Sequence, residues 1–416
     1  MTLGFVLVGL VSSTAGCPNT FDALASTDGG SDAAHDPSDG STDAAFVDAG
    51  RDAAFVDAGP DACASGVRWI DPVPQMRPLA RERLVLIAST SGFELFFHDS
   101  ADETPTLLRV PTSGAAAAPI GAAWASPTSL LYAASDELGT PSFAAWEASR
   151  VVWARAPSGE PWDTFDGEHD PELRSVADVA FTSRSVLIES YEVGGSSPSR
   201  VVTEITASGA GPLALMDPVL GNTFEQPQLA VARDEVVWSA MLSAWDRPRS
   251  VQFGTADAIY TSPNGCVVDS FDFVPGPGTY VATTQDCSSR SSGGLDVPSS
   301  DVELSIRESP HGLVSFDWAI VGRRADGTSS RLARAGDQLA VAYRGMDAAL
   351  HVVVYTRDLA LLTASTVPGA DLASAEDLGG PFDIAGHDDG TFAIAWTHAA
   401  AGSAAAGAVQ RFRACE

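Results

Sequence analysis

A pair of short strands around a polar turn recurs along the chain and limits the folds that it can adopt. The clearest copies are Leu339–Tyr343 (LAVAY) and Phe392–Trp396 (FAIAW), preceded by the turns Gly336-Asp337-Gln338 and Asp388-Asp389-Gly390. Large residues alternate with Ala in both copies, so the large side chains share one face of the strand. The small side chains on the other face allow a neighbouring sheet to approach closely. The pattern therefore predicts strands that are packed between sheets.

Weaker copies of the same strand occur along most of the chain, which shows no helical period of useful length. They begin near Leu84, Leu130, Val186, Val236 and Tyr280, most of them after an upstream strand such as Ile120–Trp124, Val176–Phe181 or Gln228–Val231. With residues 339 and 392, the seven starts lie 44 to 59 residues apart. A period near fifty in an all-β chain is typical of four-stranded propeller blades. We therefore expect an all-β fold, a β-propeller of seven blades; six or eight blades, or two stacked β-sandwiches, are the alternatives.

The last copy also resembles a known repeat. Asp389–Trp396 (DGTFAIAW), followed by Val409–Phe412 (VQRF), is similar to the repeat DG-x-F-x-V-x-W…A-Q-R-F of large bacterial secreted and surface proteins. The resemblance covers about thirty residues. It implies an extracellular β repeat and no particular reaction.

The N-terminal segment has the pattern of an export signal. Leu3–Val11 (LGFVLVGLV) has the length of a signal-peptide apolar region, and Ser13-Thr14-Ala15-Gly16-Cys17 follows it. This segment resembles the bacterial lipobox, in which the Cys is lipidated and becomes the mature N-terminus. The resemblance implies lipidation at Cys17 and export to a bacterial membrane, the outer membrane or cell surface in preference to the inner membrane. No basic residue precedes the apolar run, so either a start upstream of Met1 or export with a weak basic region is expected.

The sequence divides into three parts. Residues 1–16 are expected to be the signal peptide, 17–65 a lipidated and disordered tether, and 66–416 the propeller domain. Between Pro18 and Ala62 the chain contains ten Asp, no Glu and one Arg, with few large apolar side chains. Such a segment cannot bury enough surface to offset the entropy of ordering it.

Charge excludes several functions. The chain has a formal net charge of -30, with 54 acidic and 24 basic residues, so nucleic acid is not an expected partner. All the basic residues are Arg. Without Lys, a phosphate-loop lysine, a Schiff-base lysine and a Ser-Lys dyad are impossible.

Once Cys17 is assigned to lipid, four of the five cysteines remain. They lack the spacing of a zinc site and read as two disulfides of an oxidising compartment. Cys266 and Cys287 are expected to bridge a hairpin made by strands Phe271–Val274 and Tyr280–Thr284. Cys63 and Cys415 are expected to tie the start of the domain to its end.

The densest polar cluster is Asp166-Gly167-Glu168-His169-Asp170. We expect an exposed loop here; the alternative is a ligand loop in which Asp166, Glu168, His169 and Asp170 hold Ca²⁺ or a sugar. The sequence predicts no catalytic residue, no cofactor and no metal site. Two functions follow: a non-catalytic binding or scaffolding propeller with a protein or glycan ligand, held to the membrane by its lipid, or a propeller hydrolase of glycans or lactones whose carboxylates converge from separate blades.

Overall fold

The computed structural model describes 22 segments of the chain, and every regular element in them is a β-strand. The described residues are 66–71, 75–78, 84–98, 105–112, 118–121, 130–136, 140–147, 150–155, 163–168, 176–192, 199–206, 209–216, 222–232, 235–244, 247–253, 259–260, 265–275, 281–292, 295–307, 317–370, 381–398 and 406–415. All strands belong to one compact unit, Ala58–Glu416. The all-β prediction is confirmed. Cys17, Cys63, His169 and Asp170 lie outside the described residues.

The strands form seven antiparallel sheets, and six of them are built from strands that follow one another in the sequence. Sheet 1 contains β3 (Leu84–Ser89), β4 (Gly92–His98), β5 (Pro105–Pro111) and β6 (Ala118–Gly121). Sheet 2 contains β7 (Leu130–Ser135), β8 (Pro141–Glu147), β9 (Arg150–Arg155) and β10 (Asp163–Glu168). Sheet 3 contains β11 (Val176–Phe181), β12 (Ser185–Glu192), β13 (Ser199–Thr206) and β14 (Gly209–Met216).

Sheets 4 to 6 continue in the same way. Sheet 4 contains β15 (Asn222–Ala232), β16 (Glu235–Ala244), β17 (Arg247–Phe253) and β18 (Ile259–Tyr260). Sheet 5 contains β19 (Cys266–Pro275), β20 (Val281–Ser292), β22 (Asp301–Arg307) and β23 (Asp317–Arg323), with β21 (Leu295–Pro298) paired to β20. Sheet 6 contains β24 (Arg331–Ala335), β25 (Gln338–Arg344), β26 (Leu350–Thr356) and β27 (Leu361–Thr366).

Sheet 7 joins the two ends of the domain. It contains β28 (Phe382–Gly386), β29 (Thr391–His398), β30 (Ala406–Ala414) and, from the start of the domain, β1 (Val67–Trp69), while β2 (Gln75–Pro78) also pairs with β30. Val67 of β1 pairs with Ala414 of β30. The start and the end of the domain thus lie side by side, which the expected link between Cys63 and Cys415 requires.

The alternation of large and small residues packs the sheets together. Ala340 and Ala342 of β25 belong to one buried cluster with Phe392, Ile394 and Trp396 of β29. The large residues of β25 face the other way, toward sheet 5. The two faces of β25 thus join sheet 6 to sheet 7 and to sheet 5, as the sequence pattern predicts.

The same device joins sheet 7 to sheet 1. Ala393 and Ala395, on the small face of β29, cluster with Leu84 and Leu86 of β3 and Phe93 of β4. More generally, the first strand of each sheet contacts the first strand of the next, and the series returns to its start through β3–β7, β7–β11, β11–β15, β15–β19, β19–β24, β24–β28 and β28–β3.

Two of the predicted strand positions need correction. The expected second-strand starts at 186, 236, 280, 339 and 392 fall within one residue of the starts of β12, β16, β20, β25 and β29. Leu84 and Leu130 instead begin first strands, β3 and β7. First strands are buried against neighbouring sheets on both sides, as the pattern of β3 shows, so they carry the same apolar signal as second strands.

Cys266 and Cys287 form a disulfide between β19 and β20, with their Cα atoms 5.3 Å apart. Phe271–Val274 lies within β19, and β20 begins at Val281, so the predicted hairpin strands are also present. The bridge covers the end of the hairpin away from the connection of the two strands. Cys415 is also disulfide-bonded, and its partner lies outside the described residues, so the Cys63–Cys415 pairing stays a prediction.

Candidate functional site

Five consecutive first strands place a polar residue at an equivalent position. These residues, here called the polar layer, are Asp178, Gln228, Asp272, Arg331 and Asp383. Each of them is partly exposed, and each is followed directly by a buried apolar residue. A polar side chain between buried neighbours on a strand that contacts two other sheets must find its partners locally or line an internal space.

Asp383 links sheet 7 to sheet 1. Its Oδ1 accepts the backbone N–H of Ile384 at 2.9 Å, and its Oδ2 accepts the backbone N–H of Leu86 in β3 at 2.8 Å. One carboxylate thus bonds to its own strand and to the first strand of the next sheet. Because an ionised carboxylate is a strong acceptor, it joins the two strands without a ladder hydrogen bond.

Asp272 repeats this arrangement between sheets 5 and 6. Its Oδ1 accepts the N–H of Phe273 and its Oδ2 that of Leu332, both at 2.9 Å. Asp178 likewise accepts the N–H of Leu229, in the first strand of sheet 4, at 2.5 Å. Each of the three aspartates therefore links two neighbouring sheets through a hydrogen bond.

Gln228 also links two sheets, but as a hydrogen-bond donor. Its Nε2 donates to the carbonyl oxygen of Phe271 in β19 at 2.9 Å and so joins sheets 4 and 5. In β3, the residue before the buried Leu86 is Val85, so the layer is apolar in sheet 1. The polar side chains are concentrated on the first strands of sheets 3 to 7.

Arg331 differs from the other four residues. Its side chain makes no hydrogen bond and no ion pair within the described part of the chain, although its charge acts on the aspartates of the two neighbouring first strands. Burial raises the pKa of Asp383 to about 6; the Arg331 guanidinium opposes that rise and Asp272 adds to it. Burial also raises the pKa of Asp272, again opposed by Arg331. Asp272, Arg331 and Asp383 are therefore electrostatically coupled across three strands.

A fully buried carboxylate lies on the second strand of sheet 5, next to the first strand that carries Asp272. Asp286 of β20 is fully buried, and its Oδ2 accepts Ser270 Oγ at 2.5 Å and Ser330 N at 2.9 Å. Its Oδ1 lies 3.9 Å from Arg324 Nε, too far for a hydrogen bond. Burial raises the pKa of Asp286, and its negative charge adds to the rise in the pKa of Asp272. Asp286 is thus a structural part of the interface between sheets 5 and 6.

The pKa of Asp383 predicts a measurable pH dependence of stability. Since this pKa is about 6 in the fold and 3.8 when unperturbed, the folded state binds more protons than the unfolded state between these values. Stability should therefore rise as the pH falls from about 6 to about 4. Partial exposure reduces the effect, which we expect to be roughly 1 to 2 kcal/mol.

Urea unfolding between about pH 4 and pH 8 tests this expectation. Asp383→Asn should remove this pH-dependent part of the free energy of unfolding. Asp358→Asn, in an exposed turn, should keep it. An equal difference between wild type and Asp383→Asn at every pH would contradict the raised pKa.

Two residues of the predicted ligand loop lie in a β-strand. Asp166 and Glu168 lie in β10, the edge strand of sheet 2, where they pair with Val152 and Arg150. The alternation of acids in this segment is thus that of a strand, with Asp166 and Glu168 on one face. The expectation of an exposed loop is corrected for these two residues. His169 and Asp170 lie outside the described residues.

Among the described residues, the candidate metal ligands and the histidines lie outside the polar layer. Within the described ranges, the only group of side chains close enough to share a metal ion is Cys266, Cys287 and Glu303, and the two sulfurs there are bonded to each other. His351 and His387 contact Asp347 and Asp389 respectively, each in its own turn or strand end.

The polar layer had a signal in the sequence. Asp178, Asp272 and Asp383 each stand between two apolar residues within a strand, where an ionised side chain is unusual. Such an acid indicates either a local hydrogen-bond partner or a function. What the pattern does not show is which strand supplies the partner.

Comparisons with family models and with curated proteins find no match. Among solved structures, the chain is similar to the polysaccharide lyase Uly1, with 7% identity over 80% of this chain and 90% of that chain and a TM-score of 0.48. It is similar to a protein of unknown function from Dyadobacter fermentans DSM 18053, with 13% identity, 84% and 100% coverage and a TM-score of 0.43. The SapL1 lectin, in complex with alpha methyl fucoside, shares 9% identity over 64% and 87% of the two chains, with a TM-score of 0.37. All three TM-scores lie below 0.5, so these likenesses carry no argument about function.

Among the described residues, no helix is long and apolar enough to cross a membrane.

Proposed function

We propose that the seven sheets are the blades of a β-propeller whose central channel is lined by the first strands. The cyclic order of contacts between first strands supports this architecture, since β28 of sheet 7 contacts β3 of sheet 1. The pairing of β1 with β30 supports closure of the ring by strands from both ends of the domain. The polar layer would then project toward the channel.

We propose further that the protein is exported and anchored to a bacterial membrane through lipid on Cys17. The lipobox-like segment is the main support. The disulfide between Cys266 and Cys287 fits an oxidising compartment outside the cytoplasm. Because the chain is strongly acidic, the proposed membrane attachment depends on the lipid and not on surface charge.

The proposed activity is binding without catalysis, with the ligand held in the channel at the polar layer. The proposal rests on a difference between the aspartates and the arginine of the polar layer. Both carboxylate oxygens of Asp272 and of Asp383 accept backbone N–H groups that join neighbouring sheets. Arg331 lies between them, and no described residue bonds to its guanidinium, so its donors are proposed to serve a ligand. The carboxylates thus hold the site in shape, and the guanidinium is available for recognition.

A hydrolase remains the second candidate because of one observation. Burial raises the pKa of Asp383 to about 6, and a carboxyl group with such a pKa can donate or accept a proton near neutral pH. Asp272, on β19 at the other side of Arg331, would supply the second carboxylate of a glycosidase pair.

One experiment addresses both the anchor and the binding role. In a Gram-negative host, wild type should fractionate with membranes and Cys17→Ser should be soluble in the periplasm, because the lipid holds the protein stably.

The soluble variant, immobilised, should then capture cell-envelope glycan or protein, and adding Arg331→Ala should reduce capture about tenfold or more through lost charged hydrogen bonds. Arg323→Ala is the matched control, since Arg323 is 59% exposed on the outer strand β23.

The outcomes separate the candidates. Identical fractionation of wild type and Cys17→Ser would refute the anchor. Equal capture by the Arg331→Ala and Arg323→Ala variants would refute binding at the polar layer. Progressive shortening of captured glycan chains, abolished by Asp383→Asn, would favour the hydrolase.

A further inference from the structure

We infer that the ligand of the polar layer is neutral and rich in hydroxyl groups, as a carbohydrate is. The inference rests on the proposed binding role and specifies its ligand class. It follows from the order of donors and acceptors on three adjacent strands and from the charges of the same side chains.

The available hydrogen-bonding groups alternate. Each oxygen of Asp272 and Asp383 accepts one backbone N–H, and because a carboxylate oxygen has about two lone pairs, one acceptor position on each remains. Arg331 lies on β24, between the strands of the two aspartates, and its planar guanidinium supplies hydrogen-bond donors. The order across β19, β24 and β28 is acceptor, donor, acceptor.

The acceptors are fixed in position. Each aspartate is held at both oxygens, by its own strand and by the first strand of the next sheet, so its remaining lone pairs have defined directions. Fixed polar groups give specificity because they need no reorganisation when the ligand arrives.

The charges disfavour an ionic ligand. An anion drawn to Arg331 would meet the carboxylates of Asp272 and Asp383, which already act on each other unfavourably. A cation drawn to those carboxylates would meet Arg331, whose charge acts on both. Burial strengthens both repulsions, because charges interact more strongly where water is partly excluded.

A hydroxyl group satisfies both kinds of partner. It donates one hydrogen bond and accepts others, so neighbouring hydroxyls on one ligand can donate to the aspartates and accept from Arg331. A neutral ligand also brings no charge that must lose its hydration on entering the site. Several hydroxyls in a row are the chemistry of sugars.

Affinity electrophoresis of the Cys17→Ser protein tests the ligand class. Native gels would contain a neutral polysaccharide (dextran, mannan or galactan), an anionic one (polygalacturonate) or a cationic one (chitosan). We expect at least one neutral polymer to retard the protein, and Arg331→Ala to weaken that retardation about tenfold or more. Arg323→Ala should migrate like the parent protein.

A second variant keeps the test valid if Arg331→Ala is poorly folded. Arg331→Lys keeps the charge but loses the planar fork of donors, so it should also bind more weakly while melting like the parent protein. Arg331-dependent retardation by the anionic or the cationic polymer alone would overturn the neutral class. Envelope capture that needs Arg331, without retardation by any neutral polymer, would overturn the ligand class and leave the binding role standing.

Discussion

Replacing Arg411 by Met is expected to lower the free energy of unfolding by about 3 to 5 kcal/mol. Arg411 lies in β30 and is fully buried, and its Nε donates to Asp71 Oδ2 at 2.9 Å. Its Nη2 bonds to Asp71 Oδ1 and its Nη1 to the carbonyl oxygen of Pro111. The substitution leaves the buried Asp71 carboxylate without its guanidinium, and this accounts for the size of the effect.

The position of this ion pair explains what it stabilises. Asp71 follows β1 at the start of the domain, Arg411 belongs to sheet 7, and Pro111 ends β5 of sheet 1. The carbonyl oxygen of Asp71 also accepts Gln410 Nε2 at 2.9 Å. One guanidinium therefore connects the beginning of the domain, its last strand and its first sheet, where the proposed ring closes.

Chemical denaturation of Arg411→Met and Arg413→Met measures the effect with a matched control. Arg413 lies on the same strand and pairs with Asp389, but it is 46% exposed, so its loss should cost less than about 1 kcal/mol. Adding Asp71→Asn to Arg411→Met should recover part of the loss, because it removes the buried charge. Equal effects of the two single substitutions would contradict the role assigned to Arg411.

The strands could be predicted from the sequence because their signal is local. In Leu339–Tyr343 and Phe392–Trp396, the alternation of large residues with Ala records burial on two faces within five residues. The confusion of first with second strands near Leu84 and Leu130 has the same origin, since both kinds of strand are buried between sheets. The pattern identifies burial and does not give a strand its place in the sheet.

The polar layer and the Asp71–Arg411 pair could not be predicted, because their partners are distant in the chain. Asp272 accepts the N–H of Leu332, 60 residues away, and Asp71 lies 340 residues from Arg411. For each acid, the sequence shows only that it is isolated among apolar neighbours, and it does not show the partner. The acids of Asp166–Asp170 are conspicuous in the sequence because they are clustered, whereas the acids that link the sheets occur singly.

The second large effect is expected from the disulfide predicted between Cys63 and Cys415. Cys415 is disulfide-bonded, and with Cys266 and Cys287 joined to each other, its partner is Cys17 or Cys63. Lipid on Cys17 would leave Cys63. The backbone supports this choice: Cys415 N donates to Gly66 O at 3.3 Å, three residues after Cys63.

Loss of this bridge should destabilise the domain by at most about 5 to 6 kcal/mol, because the bond closes a loop of about 350 residues and so restricts the unfolded chain strongly. Cys63→Ser with Cys415→Ser should lower the melting temperature and expose both ends of the domain to limited proteolysis. The control is Cys266→Ser with Cys287→Ser, whose loop of about twenty residues lies within one hairpin and predicts a loss of about 3 kcal/mol.

The two double variants should also differ in where the protein opens. Without the terminal bridge, β1 can leave β30, so cleavage should begin near the ends while sheets 2 to 6 stay protected. Without the hairpin bridge, β1 stays paired and cleavage should begin near β19 and β20. Peptide mapping under non-reducing conditions that finds Cys63 free, or Cys415 joined to Cys17, would refute the predicted pairing. An unchanged melting temperature with both ends still protected would show that the ring does not depend on closure at this disulfide.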